Sequence, residues 1–255
     1  MEQALIYKTE PTDIPIYHSW LKFANERDIL EGVLRERFEE WCYTKPLSML
    51  EWGCGLGSAA QRFMRILRER STPFTYTGID PFSDQLNRFR KNLSDEVDAQ
   101  LEVGGFETYT PHGAYDLGLA VHSLYYAKSI PATVEKISQS ARRMLFVHHG
   151  IRGINEVHET FPELVIQEAS EISTHEIICE TLKKLNVPYD LHVYETETKI
   201  EVCHDPTNLE GRNMIKFFLD NPDLPEKNIE EVSRFLQGLG DVMKHDMAVI
   251  ITSPK

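Results

Sequence analysis

Apolar positions along the chain alternate between helical and strand spacing. Leu30, Leu34, Phe38 and Trp41 recur at helical spacing with charges on the opposite face, and Trp20 and Phe23 suggest a shorter helix before them. Residues 1–16, with Pro11 and Pro15, read as a mobile or draped arm. Lys45-Pro46 closes this region, and residues 47–51 form a short apolar strand. Ser58 is placed to cap a helix with the buried stripe Ala60, Phe63, Met64 and Leu67, which Pro73 ends. Residues 74–79 are rich in β-formers and lead to Asp80, after which Ser83 opens a helix carrying Leu86, Phe89 and Leu93. Ala99–Val103 is a third strand. Tyr115–Val121 is a fourth, apolar nearly throughout, as expected of a strand buried on both faces. Pro131 fits the first position of a helix carrying Val134, Ile137 and Ala141, and residues 144–147 form a fifth strand.

This strand–helix alternation predicts a parallel sheet with helices on both faces. The second half is less regular. Ser173-Thr174-His175-Glu176 reads as a capping box before Ile178, Leu182 and Leu185. Residues 191–196 and 199–202 alternate and predict two strands. Residues 208–219 and 228–239 predict helices separated by Asn221-Pro222-Asp223-Leu224-Pro225, and residues 247–252 a last strand. No linker divides the chain, so a single domain over 1–255 is expected: a helical cap over 1–45, a core over 46–150, and further sheet and helices over 151–255.

Composition narrows the function classes. The 255 residues are 41% apolar, enough for a sizeable core, and the formal charge of −13 opposes nucleic acid as the main partner. Cys42, Cys54, Cys179 and Cys203 form no CxxC pair and no zinc pattern, and read as reduced thiols of a cytoplasmic protein. The first residues match neither a secretory signal nor a transit peptide, and no apolar run approaches the roughly 20 residues of a membrane span, so no membrane partner is expected. His148-His149, His158 and His175 show no HxH or HExxH spacing, so no metal site is expected.

The candidate chemistry lies at the strand ends. Glu51-Trp52-Gly53-Cys54-Gly55-Leu56-Gly57 follows the first strand. It lacks both the GxGxxG of a pyrophosphate loop and the Lys and Ser/Thr of a P-loop. An acid at the strand end and no phosphate-binding feature suit a cofactor with positive groups. S-adenosylmethionine carries an ammonium and a sulfonium. Asp80, at the second strand end, is placed to accept hydrogen bonds from ribose hydroxyls.

With Gly78-Ile79-Asp80-Pro81, this loop resembles class I S-adenosylmethionine-dependent methyltransferases over about residues 46–150. The resemblance implies a Rossmann-like, seven-stranded, mostly parallel sheet with the last strand antiparallel, and terminal helices covering the substrate side. It places Glu51, Gly53, Gly55, Gly57, Asp80, Pro81, Phe82, Gln85, Gly105, Phe106 and Val121 around the cofactor, with Glu51 near the methionine end and Phe82 near the adenine. The run from Val121-His122-Ser123-Leu124-Tyr125-Tyr126 to Ile130-Pro131-Ala132-Thr133 is similar to the segment after the fourth strand of the histamine N-methyltransferase family. That likeness implies a small-molecule acceptor, most simply an amine or nitrogen heterocycle, and a monomer.

His122 and His245 stand where that family has amide side chains, and either could accept a proton from the acceptor. Glu26 or Asp28 could match its ammonium-binding acid. Tyr17, Trp20, Tyr125 and Tyr126 could form an aromatic cage, with His149 also on the substrate side. The alternatives keep the cofactor and change the acceptor: oxygen or carbon of a phenol, indole or natural-product intermediate, or a protein side chain. Base methylation is disfavoured, because the Asn/Asp-Pro-Pro-aromatic run is missing after the fourth strand. A non-methylating oxidoreductase lacks support from any GxGxxG.

Overall fold

The computed structural model describes residues 15–41, 46–94, 97–166 and 173–254. Residues 1–14 of the expected arm, Cys42 and Lys45 lie outside the described residues, and Pro15 and Ile16, expected in that arm, open the first helix instead. In chain order the elements are α1 (Pro15–Phe23), α2 (Glu26–Glu36), the short α3 (Phe38–Trp41), β1 (Leu47–Trp52), α4 (Ser58–Glu69), β2 (Phe74–Asp80), α5 (Ser83–Asn92), β3 (Ala99–Val103) and β4 (Tyr115–Val121). There follow α6 (Ile130–Ile137), β5 (Ala141–His149), α7 (Ile154–Thr160), α8 (His175–Lys184), β6 (Tyr189–Lys199), α9 (Leu209–Phe218), α10 (Glu226–Leu239) and β7 (Val242–Thr252). The strand order is β3-β2-β1-β4-β5-β7-β6. The sheet is mixed, with only the last strand antiparallel, as expected. Among the described residues no helix is long and apolar enough to cross a membrane.

The chain forms two compact units. One contains residues 27–148, 175–193 and 248 onwards. In it β1 lies parallel between β2 and β4, with Glu51 opposite Gly78 and Leu119. This register brings the carboxyl ends of the strands to one edge of the sheet, where α/β proteins bind ligands. Leu50, Trp52, Ile79, Phe146, Val134 of α6 and Ile178 of α8 share its core. Each such side chain contributes about 1.5–3 kcal/mol when fully buried.

The other unit takes the described residues up to Glu26, with 149–174 and 194–247. Trp20, Ile215, Phe218, Val232, Leu236 and Met243 form its core. Trp20 of α1 stacks on Phe217 of α9, ring centroids 4.9 Å apart.

Several local expectations change. Ser58 is the first helical residue and not the cap; Gly57 occupies that position with φ 76° and makes no side-chain bond. Ala141 opens β5 and does not extend α6, because Ser140 Oγ donates to the Ile137 carbonyl and closes the helix. Where residues 199–202 read as a strand, β6 ends at Lys199 and Glu201–His204 form a 3-10 turn. Ile200 is fully buried there, and its N–H bonds to the Asp241 carbonyl. β7 starts five residues before the expected strand. Its first half carries Lys244 and Asp246, whose charges mask a strand in the sequence.

Candidate active site

The glycine loop is held by the end of β2. Asp80 is buried, and its two carboxylate oxygens accept from Gly55 N–H at 2.8 Å and Phe82 N–H at 2.9 Å. Gly55 turns with φ 52°, and open space lies on the side where a Cβ would stand. A backbone of this kind lets a ligand pass close to the loop. Gly57 (φ 76°) is needed for packing, since a Cβ there would enter the Phe89 ring. Gly53 N–H and Cys54 N–H both donate to the Ile79 carbonyl, at 2.8 and 3.0 Å.

Glu51 is buried at the end of β1 and accepts a hydrogen bond from the Tyr76 hydroxyl. Burial, opposed by that bond and reinforced by Asp80, lifts its carboxyl to about 8. Burial also raises Asp80, against the two backbone N–H groups it accepts. Neither carboxyl pairs with a cationic side chain among the described residues.

Pro81 is exposed, Phe82 half-buried and Gln85 buried on the first turn of α5. Gly104 N–H donates to the Asp80 carbonyl at 3.1 Å, so the loop after β3 is tied to the same strand end. Gly105 turns back through its N–H to Thr108 Oγ1. Phe106 stacks on Trp52 with centroids 6.2 Å apart, and Lys136 Nζ donates to its carbonyl. Ser123 Oγ donates to the Trp52 carbonyl at 2.7 Å, a bridge between the ends of β1 and β4 that the sequence did not suggest.

Val121 ends β4 half-buried, and His122 follows with φ 49°, a left-handed conformation rare outside glycine. Such strain collects at functional sites. His122 Nδ1 lies 3.0 Å from the Tyr125 hydroxyl, and Tyr125 stacks on His148 at 4.1 Å. Tyr126 meets Tyr125 edge-on at 6.3 Å.

Successive strand residues point to opposite faces, which separates His148 from His149. His149 belongs to the other unit, where its Nε2 lies 3.2 Å from Glu26 Oε2. His245 Nε2 lies 3.2 Å from the same oxygen. Glu26 is fully buried. The chain is fixed just before it by Asn25, which exchanges backbone and side-chain bonds with Glu197 of β6 at 3.0 and 2.8 Å. Thr196 Oγ1 holds the His245 carbonyl at 2.9 Å.

Asp28, the other candidate acid, is at the surface and pairs with Arg62 at 2.8 Å. Trp20 is a core residue at 2% exposure, packed against both Tyr17 and Phe217, whose rings also meet each other. Tyr17 remains half-buried beside it. Cys54, Cys179 and Cys203 are free and buried.

The sequence matches no protein-family model and no curated protein. The fold, however, has many relatives of known structure. The plantazolicin methyltransferase BpumL in complex with S-adenosylhomocysteine is 14% identical, with a TM-score of 0.57 over 99% of this chain and 95% of that one. Magnesium protoporphyrin IX methyltransferase from Synechocystis PCC 6803, also with bound S-adenosylhomocysteine, is 10% identical, with a TM-score of 0.58 over 97% and 90%. YcgJ from Bacillus subtilis gives a TM-score of 0.61 at 13% identity over 89% and 99%. The chain thus has the Rossmann-like seven-stranded fold of these S-adenosylhomocysteine-bound methyltransferases.

Proposed function

We propose that this protein is an S-adenosylmethionine-dependent methyltransferase acting on a small molecule, by N-methylation of an amine or nitrogen heterocycle. One observation carries the methyl-donor half. Two buried carboxyl groups, Glu51 and Asp80, flank a glycine loop and have no cationic partner among the described residues. A ligand with cationic and hydroxyl groups satisfies such a site, whereas phosphates are repelled by it. Glu51 faces the ammonium in this reading, and Asp80 keeps acceptor capacity for the ribose. Phe82, Gln85 and Phe106 border the adenosine, with Gly105 and Val121 at the neighbouring strand ends. Solved relatives of this fold that carry S-adenosylhomocysteine support the assignment.

S-adenosylmethionine supplies an electrophilic methyl group whose leaving group departs as a neutral thioether. The protein therefore needs no acid for departure, only an acceptor lone pair held in line at about 3–3.5 Å. The acceptor must also be neutral. His122, strained at the end of β4 and oriented by the Tyr125 hydroxyl, takes the role of orienting it or accepting its proton. On the acceptor side the reading rests on Glu26. A fully buried carboxyl contacted by two imidazole nitrogens suits recognition of a basic amine. His149 and His245 then set its orientation, and Tyr17 adds aromatic surface.

Calorimetry with S-adenosylhomocysteine and with NAD tests the donor half. The first is expected to bind and the second not; the reverse would make the protein an oxidoreductase. A panel of amines, heterocycles, phenols and indoles, read out by S-adenosylhomocysteine production, tests the acceptor half. Turnover confined to phenols or indoles would replace N-methylation by O- or C-methylation.

A further inference from the structure

A buried polar group beneath the glycine loop has no counterpart in the expectations from sequence. Tyr76, Gly78 and Asp80 lie on one face of β2, since alternate strand residues share a face. The Tyr76 ring runs along the strand over Gly78. A Cβ at Gly78 would stand 2.9 Å from the Tyr76 ring and hydroxyl and 2.9 Å from Cys54 Sγ. Only glycine at 78 leaves room for the hydroxyl to reach Glu51 on β1. Phe89 of α5 closes the other side, edge-on to Tyr76 with centroids 5.9 Å apart.

Polar neighbours of the Glu51 carboxyl come from β2 and from the glycine loop. Tyr76 donates to it from β2, Cys54 lies beside the same hydroxyl, and Asp80 stands at the end of β2. From β4 its register partner is the apolar Leu119. No cation is among them. A carboxyl in such surroundings keeps its proton until a positive charge arrives.

We propose that Tyr76 is a positioning residue for the methyl-donor site, and that binding of the cationic donor is coupled to loss of the Glu51 proton. This rests on the donor reading given above. On binding, the Glu51 O–H proton leaves to solvent, its bonding pair stays on the carboxylate, and the ligand ammonium faces the resulting anion. Tyr76 fixes the carboxylate rotamer and stabilises the anion by its hydrogen bond. Ordinary methyl-donor sites with a solvated acid would show no such proton linkage near neutral pH.

The test is calorimetric titration of the full chain with S-adenosylhomocysteine from pH 6.5 to 8.5, in buffers of differing ionisation heat. Wild type is expected to release about one proton per ligand at pH 7, and its affinity to rise roughly ten-fold from pH 6.5 to 8. Glu51→Gln should release none, and its profile reports any titration of the ligand's own amine. Tyr76→Phe should weaken binding about ten-fold at pH 7 and move the affinity profile to higher pH, because the anion loses its donor. Wild-type binding without proton release overturns the inference alone, whether or not the variants fold. A Tyr76→Phe profile superimposed on wild type overturns the role of Tyr76. No binding at any pH overturns the donor reading and this inference with it.

Discussion

Asp80 accepts the Gly55 N–H at 2.8 Å, so the end of β2 clamps the turn that follows β1. Its other oxygen takes the Phe82 N–H. One carboxylate therefore shapes the loop and, in the proposed function, binds ribose. Asp80→Ala is expected to weaken S-adenosylhomocysteine more than ten-fold by calorimetry. It should also lower stability by about 1–3 kcal/mol, since two half-buried donors lose their acceptor. An unchanged dissociation constant would place the ribose elsewhere.

Gly55 and Gly57 both have positive φ but differ in what surrounds them. Alanine at 55 meets open space and should cost about 1–2 kcal/mol for the left-handed backbone alone. Alanine at 57 adds a collision with Phe89, and overpacking of this kind costs about 1–3 kcal/mol more. Urea unfolding of the two variants should show Gly57→Ala the less stable. Equal midpoints would mean that the Phe89 ring moves aside freely.

The first half of the fold was legible because its signals are local. β3 and β4 begin and end where composition placed them, and the parallel alternation follows from strand–helix spacing. The first half of β7 is hidden in the sequence because Lys244 and Asp246 look like loop residues. In the structure they are neutralised by neighbours: Lys244 pairs with Glu195, and Asp246 with Arg152. The strand-end positions of Glu51 and Asp80 were legible from spacing, but the contact of Tyr76 with Glu51 was not. Its role depends on a register between β1 and β2 that puts position 78 opposite 51, and on the absence of a side chain at 78. The choice between Glu26 and Asp28 likewise could not be made from two acids on one helix. Burial separates them.

That separation predicts opposite outcomes for two similar substitutions. Glu26→Gln is expected to raise KM for an amine acceptor at least ten-fold, because a charged hydrogen bond to the ammonium is worth about 1.5–3 kcal/mol. Asp28→Asn removes a surface ion pair and should stay within about 1 kcal/mol of wild-type stability with unchanged KM. Steady-state kinetics of both variants decide it. Equal effects would remove Glu26 from the acceptor site.

Glu51 should also be visible in stability. Its carboxyl is held at about 8 in the folded chain, against an ordinary value of 4.5. Between these limits the folded state keeps a proton that the unfolded chain has released, so its stability contribution falls as pH rises and levels off above about pH 8. Glu51→Gln abolishes that loss. The difference in Tm between Glu51→Gln and wild type should therefore grow from pH 5 to pH 8 in favour of the variant. A difference independent of pH would show that Glu51 is ionised throughout.

His122 combines strain with the chemical role proposed for it, and the two can be separated. Its φ of 49° is tolerated by asparagine and glycine far better than by alanine, so His122→Ala alone would mix a backbone effect with the loss of the imidazole. His122→Asn keeps the left-handed backbone and a polar side chain but removes the proton acceptor that lies 3.0 Å from the Tyr125 hydroxyl. If His122 accepts the acceptor's proton, this variant should melt near wild type, bind S-adenosylhomocysteine normally and lose roughly 100- to 10,000-fold in kcat. The loss should shrink as pH rises, because a substrate that is already deprotonated no longer needs the base. If His122 only orients the substrate, the defect will instead be the same at every pH. Wild-type turnover in His122→Asn, with a reduced melting temperature in His122→Ala, would leave His122 as the residue that shapes the end of β4 and nothing more.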